Sequence, residues 1–173
     1  MSEAREPDVA HVAEIADVAA LAAALRLAGE GEAGRALERL ADHSFAAGIA
    51  PAAAALQAQL LESEGHGAEA WDVLERALER SPGHAALLVR AGVLAYHRGD
   101  LVRAADLLAR AWRAGPLPEA AFHLGEIAVL QGSRVEAARW LALCAAFDGA
   151  GGGFGERARQ RLAADPAPGE AGE

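Results

Sequence analysis

Six histidines are the side chains of this 173-residue chain with the widest chemical use, because imidazole binds metal ions and exchanges protons near neutral pH. They are His11, His43, His66, His84, His97 and His123. None belongs to the H-E-x-x-H pattern of a helical zinc site, and the sequence has no C-x-x-C pair. We therefore expect no metal. A metal-dependent helical enzyme that uses His97, His123 and Glu126 is the alternative hypothesis from a different functional class.

The single cysteine and one glycine-rich stretch are the other candidates for chemistry. Cys144 stands in a repeated column otherwise held by residues such as Ala77 and Ala111, which favours a small buried apolar side chain over a nucleophile. The stretch GAGGGFG (149–155) has Phe154 where G-x-G-x-x-G needs its last glycine, and no Gly-Lys-Ser/Thr follows. We expect a joint between helices here, no catalytic residue and no cofactor, and therefore a protein that is not an enzyme.

The charge and hydropathy of the chain indicate which kinds of partner it does not bind. The formal net charge is -9 and all 16 basic residues are arginines, so the chain lacks the basic surface that nucleic-acid phosphates require. It has no run of about 18 strongly apolar residues, and its first residues, MSEAREPDVAHVAE, lack the features of a signal peptide. A single cysteine fits a reducing compartment. With the alanine- and arginine-rich composition, these features predict a cytoplasmic bacterial protein that binds neither nucleic acid nor membrane.

A period of 34 or 33 residues runs through the chain. It is marked by Gly31, Gly65, Gly99 and Gly132, with spacings of 65−31=34, 99−65=34 and 132−99=33. A small residue stands seven positions before each glycine, and a leucine stands nine positions after it. The small residues are Ala24, Ala58, Gly92 and Gly125, and the leucines are Leu40, Leu74, Leu108 and Leu141. Small residues let two helices approach closely while leucines fill the space beside them, so the pattern predicts stacked helix pairs.

The residues between these marks predict helices alone. Apolar residues recur at helical spacing, and the glycines fall just past the first helix of each pair, where a left-handed cap favours glycine. Pro82 and Pro116 stop two of the second helices. Trp71, Trp112 and Trp140 lie on second helices, where we expect them to pack between pairs. The predicted helices cover residues 9–29, 33–46, 51–63, 67–80, 84–97, 101–114, 118–130, 134–147 and 154–164.

The unit of small residue, Gly, Ala and Pro in this order resembles the tetratricopeptide repeat, most clearly in "LLVRAGVLAYHRGDLVRAADLLARAWRAGP". The resemblance implies an all-α fold: a right-handed superhelical α-solenoid of four such helix pairs with a C-terminal capping helix. The implied organisation is a disordered leader at 1–8, an array at 9–151, the capping helix at 152–164 and a disordered tail at 165–173. The repeats would cover about 17–50, 51–84, 85–117 and 118–151.

The same resemblance implies a non-enzymatic protein-binding module, an adaptor, scaffold or chaperone, whose first helices line a concave groove. Its apolar lining would hold an extended apolar segment of a protein or peptide partner. Core packing is the alternative role for the apolar members of this set. The positions carried over are Leu25, Ala55, Gln59, Glu62, Val89, Val93, Tyr96, His97, Phe122, Glu126 and Val129.

A narrower resemblance concerns the last unit, "AAFHLGEIAVLQGSRVEAARWLALCAA". It is similar to the last repeat of type III secretion translocator chaperones, which are small, acidic, helical and often dimeric. That resemblance implies a chaperone for a secreted hydrophobic protein.

The N-terminal helix leaves two further possibilities open. Val9, Val12, Ile15 and Leu21 give it an apolar stripe that could pair in a homodimer. The same stripe could fill the groove, in which case the chain would be a purely structural subunit.

Overall fold

The computed structural model describes residues 9–148 and 153–164. The predicted leader at 1–8, the predicted tail at 165–173 and positions 149–152 of the glycine-rich stretch lie outside the described residues. Within these ranges the chain forms nine α-helices and no strand, which confirms the predicted all-α fold of helix pairs followed by a last helix. The helices are α1 (Val9–Gly29), α2 (Ala33–Ala41), α3 (Ala50–Ser63), α4 (Gly67–Arg80), α5 (Ala85–His97), α6 (Leu101–Ala114), α7 (Pro118–Leu130), α8 (Arg134–Phe147) and α9 (Gly153–Ala164).

The chain divides into two compact units, residues 1–77 and residues 78–173. In unit 1, α1, α2 and α3 pack together around Ala24, Leu40 and Leu56. In unit 2, α5 pairs with α6, α7 pairs with α8, and α9 packs against α8 and α7. The repeat boundaries named above stay a prediction. None of the described helices combines the length and the apolar character that crossing a bilayer requires.

The two helices of each pair in unit 2 lie in close contact where the sequence places glycine. A Cβ added to Gly92 would lie 2.6 Å from Cγ of Leu108, and one added to Gly125 would lie 2.8 Å from Cγ of Leu141. Both leucines are buried. In both pairs of unit 2 the small residue therefore lies directly against the leucine, whereas the sequence pattern predicted only that the leucine would fill the space beside it.

The turn inside each pair is also as predicted. Gly31, Gly65, Gly99 and Gly132 have φ values of 79°, 85°, 80° and 74°. This is the left-handed region that side chains with a Cβ rarely enter, so glycine is the residue that ends each first helix and reverses the chain.

Helix α2 ends at Ala41, five residues before the predicted end at 46. The segment after it turns back to α1, because Oδ2 of the buried Asp17 accepts a hydrogen bond from the backbone N–H of Ala46 at 2.7 Å. The other carboxylate oxygen lies 2.6 Å from Nε2 of His43, whose ring packs against Phe45.

We expect Gly92→Ala to destabilise unit 2 by about 1–3 kcal/mol, because the new methyl group forces α5 and α6 apart at Leu108. Chemical denaturation followed by circular dichroism measures the change. Gly115→Ala is the matched control, since a Cβ there meets no atom within 4 Å. Equal stabilities for the two variants would contradict the close approach.

We expect Asp17→Ala to lower the melting temperature at neutral pH. The control is Asp42→Ala, which removes an exposed aspartate at the end of α2. The Ala46 N–H first, and then His43, hold the pKa of Asp17 below its ordinary value. Its contribution is therefore present above about pH 4, the unfolded pKa, and is lost as the pH falls through the lower folded pKa. The wild type should lose stability in that acid range more steeply than Asp17→Ala, and identical melting curves would rule out the pair as a stabilising contact.

Candidate peptide-binding surface

The first helices of the last two pairs, α5 and α7, lie side by side in unit 2. Arg90, in the first half of α5, forms an ion pair with Glu119, in the first turn of α7. Further along both helices, the ring of Tyr96 lies 5.3 Å from the ring of His123. Both contacts advance in the same direction along the two helices. Helices α5 and α7 are therefore parallel neighbours and share one surface.

A cluster of rings joins these helices. His97 of α5 lies 6.4 Å from His123 of α7 between ring centroids, with the rings edge to face. Phe122 lies 5.5 Å from His123, and Phe154 of α9 lies 5.6 Å from Phe122. The cluster thus runs from α5 across α7 to α9, and such aromatic pairs contribute stability beyond their buried area.

His123 is the buried polar member of this cluster. It is 8% exposed, and its Nδ1 atom has no hydrogen-bond partner. Burial, and then the nearby charges of His97, Arg90 and Arg157, lower the pKa of His123 to about 4. Its imidazole is therefore neutral at physiological pH and packs as a ring.

Helix α9 covers one side of α7. The guanidinium carbon of Arg157 lies 4.3 Å from the ring centroid of Phe122. One turn later, Nε of Arg161 donates a hydrogen bond to Oε1 of Glu126 at 2.9 Å. A cation over an aromatic face and a charge-assisted hydrogen bond therefore attach α9 to α7.

The predicted groove residues of unit 2 separate into two groups. Val89, Val93 and Phe122 are at most 6% exposed, so the structure places them in the interior, the alternative role that the sequence left open. Tyr96, Glu126 and Val129 are half-buried, and His97 is exposed. These four residues lie on the neighbouring helices α5 and α7, towards their C-terminal ends.

The predicted groove residues of unit 1 also differ in access. Ala55 is buried in α3, whereas Gln59 is exposed and Glu62 is half-buried on the same side of that helix. Leu25 is 53% exposed and lies on α1. These residues stay a prediction for peptide contact.

Sequence reasoning did not assign three residues to this surface. Leu130, the last residue of α7, is 62% exposed although it is strongly apolar. Arg157 and Arg161 contact α7, while the intervening Arg159 forms an ion pair with Glu156 at 3.2 Å. The spacing of four between Arg157 and Arg161 places them on one side of a helix and was the available signal.

The described residues offer little for metal or covalent chemistry. Among them, no group of three or more His, Cys, Asp or Glu side chains could hold a metal ion. Glu126, the third member of the metal hypothesis, bonds to Arg161. Burial, the largest cause, raises the pKa of the Cys144 thiol to about 11, so it stays protonated and packs as the small buried side chain that its column predicts.

Comparison with known proteins agrees with this architecture. Residues 61–126 match the family model for the tetratricopeptide repeat. No curated protein matches the sequence.

Several solved structures share the fold at low sequence identity. MamA 41-end from Desulfovibrio magneticus RS-1 has a TM-score of 0.59 at 18% identity, covering 74% of this chain and 73% of that one. A thermophilic tetratricopeptide repeat protein from Thermus thermophilus has a TM-score of 0.56 at 16% identity, covering 85% and 99%. A tetratricopeptide repeat protein from Parabacteroides merdae has a TM-score of 0.63 at 14% identity, covering 84% and 58%. Residues 61–126 thus match the tetratricopeptide repeat model, and the chain shares the fold of solved tetratricopeptide repeat proteins.

Proposed function

We propose that this protein is a non-enzymatic binding module that holds an extended apolar segment of a partner protein across the C-terminal halves of α5 and α7. The single observation that carries the proposal is the exposure of apolar side chains on two parallel, adjacent first helices. Leu130 is 62% exposed, and Val129 and Tyr96 are half-buried nearby on these helices. Accessible apolar residues grouped on one surface are typical of interaction sites.

The charges around this surface favour an apolar or mildly basic ligand. Glu126 is held by Arg161, so its carboxylate keeps a fixed position on α7 one turn before Val129. A carboxylate beside the apolar side chains disfavours an acidic ligand, which adds selectivity to the affinity that apolar contact provides.

The rigidity of the surface supports recognition of a segment that orders on binding. Arg90 with Glu119, and Tyr96 with His123, join α5 to α7 along their length. A pre-organised surface loses little conformational entropy when the ligand binds, so most of the ordering cost falls on the ligand. An extended segment, which needs no fold of its own, suits such a surface.

The chaperone version of the function rests on residues with ordinary structural roles. Gly132 makes the left-handed turn, and Gly125 allows the close approach of Leu141. Phe122 belongs to the core cluster of unit 2. A chaperone for a secreted hydrophobic protein is therefore the narrower alternative within the proposed binding function. The cytoplasmic bacterial location predicted above is part of the same proposal.

We predict that Val129→Arg weakens binding of selected peptides by about tenfold or more, because a charge replaces part of the apolar contact. Peptides would be selected from a random displayed library with the wild-type protein, and Kd measured by fluorescence anisotropy. The matched control is Val102→Arg, an equal substitution at a valine of α6 that is 81% exposed.

Two results would contradict the proposal. The library could yield no apolar peptide, or Val102→Arg could weaken binding as much as Val129→Arg does. Circular dichroism of both variants checks that the helices are intact, so a loss of affinity reports the surface and not unfolding.

A further inference from the structure

The N-terminal helix carries an apolar stripe on the side that faces away from its own unit. Val12, Ile15, Val18 and Leu25 are 49%, 56%, 55% and 53% exposed. Ile15 and Val18, with Ala19, Ala22 and the bordering Glu14, line a shallow depression of about 430 Å³. The opposite side of α1 presents Ala20 and Ala24, which are buried in unit 1.

The spacing within this stripe is that of a coiled-coil seam. Ile15, Val18, Ala22 and Leu25 follow one another at intervals of three, four and three residues. Such intervals keep one row of apolar side chains facing a partner helix over several turns. The stripe itself carries no charged residue, and Glu14 and Arg26 lie at its borders.

We propose that the stripe pairs with the same stripe of a second copy, as an antiparallel helix pair about a two-fold axis near residue 20. In this register Ile15 faces Leu25 of the second copy, and Val18 faces the smaller Ala22. Each contact occurs twice, with the roles of the two copies exchanged, which is the condition for a closed two-fold dimer.

The charges at the borders fit the antiparallel register. In an antiparallel pair each border of the stripe runs beside the same border of the second copy. Glu14 therefore falls beside Ala28 of the second copy, and Arg26 falls beside Val12. No like charges meet, although each chain has a net charge of -9. Two strongly acidic copies can associate along this line without direct repulsion across it.

Other occupants are less well matched to the stripe. The segments MSEAREPD (1–8) and DPAPGEAGE (165–173) contain one large apolar side chain between them, Met1, so neither supplies a seam. A contact between the stripe and α9 of another copy would set it against exposed residues that include Glu156, Arg159 and Gln160. A polar partner face leaves the stripe uncovered, so the closed pair is favoured over a filament.

The interface is small. A single pair of helices of 21 residues buries less than the ~800 Å² per partner of standard interfaces. We therefore expect a reversible dimer with a Kd in the micromolar range, which corresponds to a free energy of association of roughly −8 kcal/mol.

Analytical ultracentrifugation of the full chain over a range of concentrations tests the proposal. The wild type should shift from monomer to dimer as concentration rises, and Ile15→Glu/Val18→Glu should stay monomeric throughout. Val102→Glu/Val135→Glu, two exposed valines on second helices of unit 2, should dimerise like the wild type. A wild type that stays monomeric, or a stripe variant that still dimerises, overturns the proposal.

Cysteine cross-linking tests the direction of the pair, because the native Cys144 is buried. Oxidation of Ile15→Cys/Leu25→Cys should give a covalent dimer, whereas Ile15→Cys alone and Leu25→Cys alone should not. Efficient cross-linking of either single variant would show residues meeting their own copies, and would overturn the antiparallel arrangement.

Discussion

The contact between Gly92 and Leu108 is the constraint on which the helix pairs depend. With no Cβ on the glycine, the backbone of α5 lies directly against the leucine side chain, and the leucine is fully buried. The same contact recurs between Gly125 and Leu141. Because this distance fixes how closely two helices approach, it also fixes where the next first helix lies. The neighbouring positions of α5 and α7, and thus their shared surface, follow from it.

The local part of this architecture could be predicted from the sequence, because it repeats. A glycine with positive φ at each turn, and the fixed columns of small residues and leucines, are signals within one repeat of 34 residues or fewer, and four copies make them visible. The end of α2 could not be predicted in this way. It depends on Asp17, whose carboxylate holds Ala46 from 29 residues away, and a single buried aspartate has no repeated counterpart to reveal its role. Tertiary contacts of this kind override helical periodicity wherever they occur.

The access of the candidate surface could not be predicted from the sequence. The family resemblance implies that Val93 and Phe122 lie on the groove-lining helices, yet it does not show how much of these side chains the next element covers. Phe122 is packed by Phe154 and by Arg157 of α9, and that contact requires both the joint and the register of the last helix. Exposure of Leu130 is the converse case, since apolar type alone predicts burial there. A repeat pattern therefore names the face, and only the packed neighbours decide which side chains a ligand can reach.

The first and last described helices differ in the side chains that they expose. The last helix, α9, has polar residues on its exposed side, where Arg159 forms an ion pair with Glu156. The first helix, α1, instead exposes Ile15 and Val18, each more than half accessible. Leaving these side chains in water costs free energy that a polar substitution would avoid, so their presence favours a stripe that is covered in the assembled state. Because this stripe belongs to unit 1 and the candidate peptide surface to unit 2, substitutions can alter self-association and ligand binding separately.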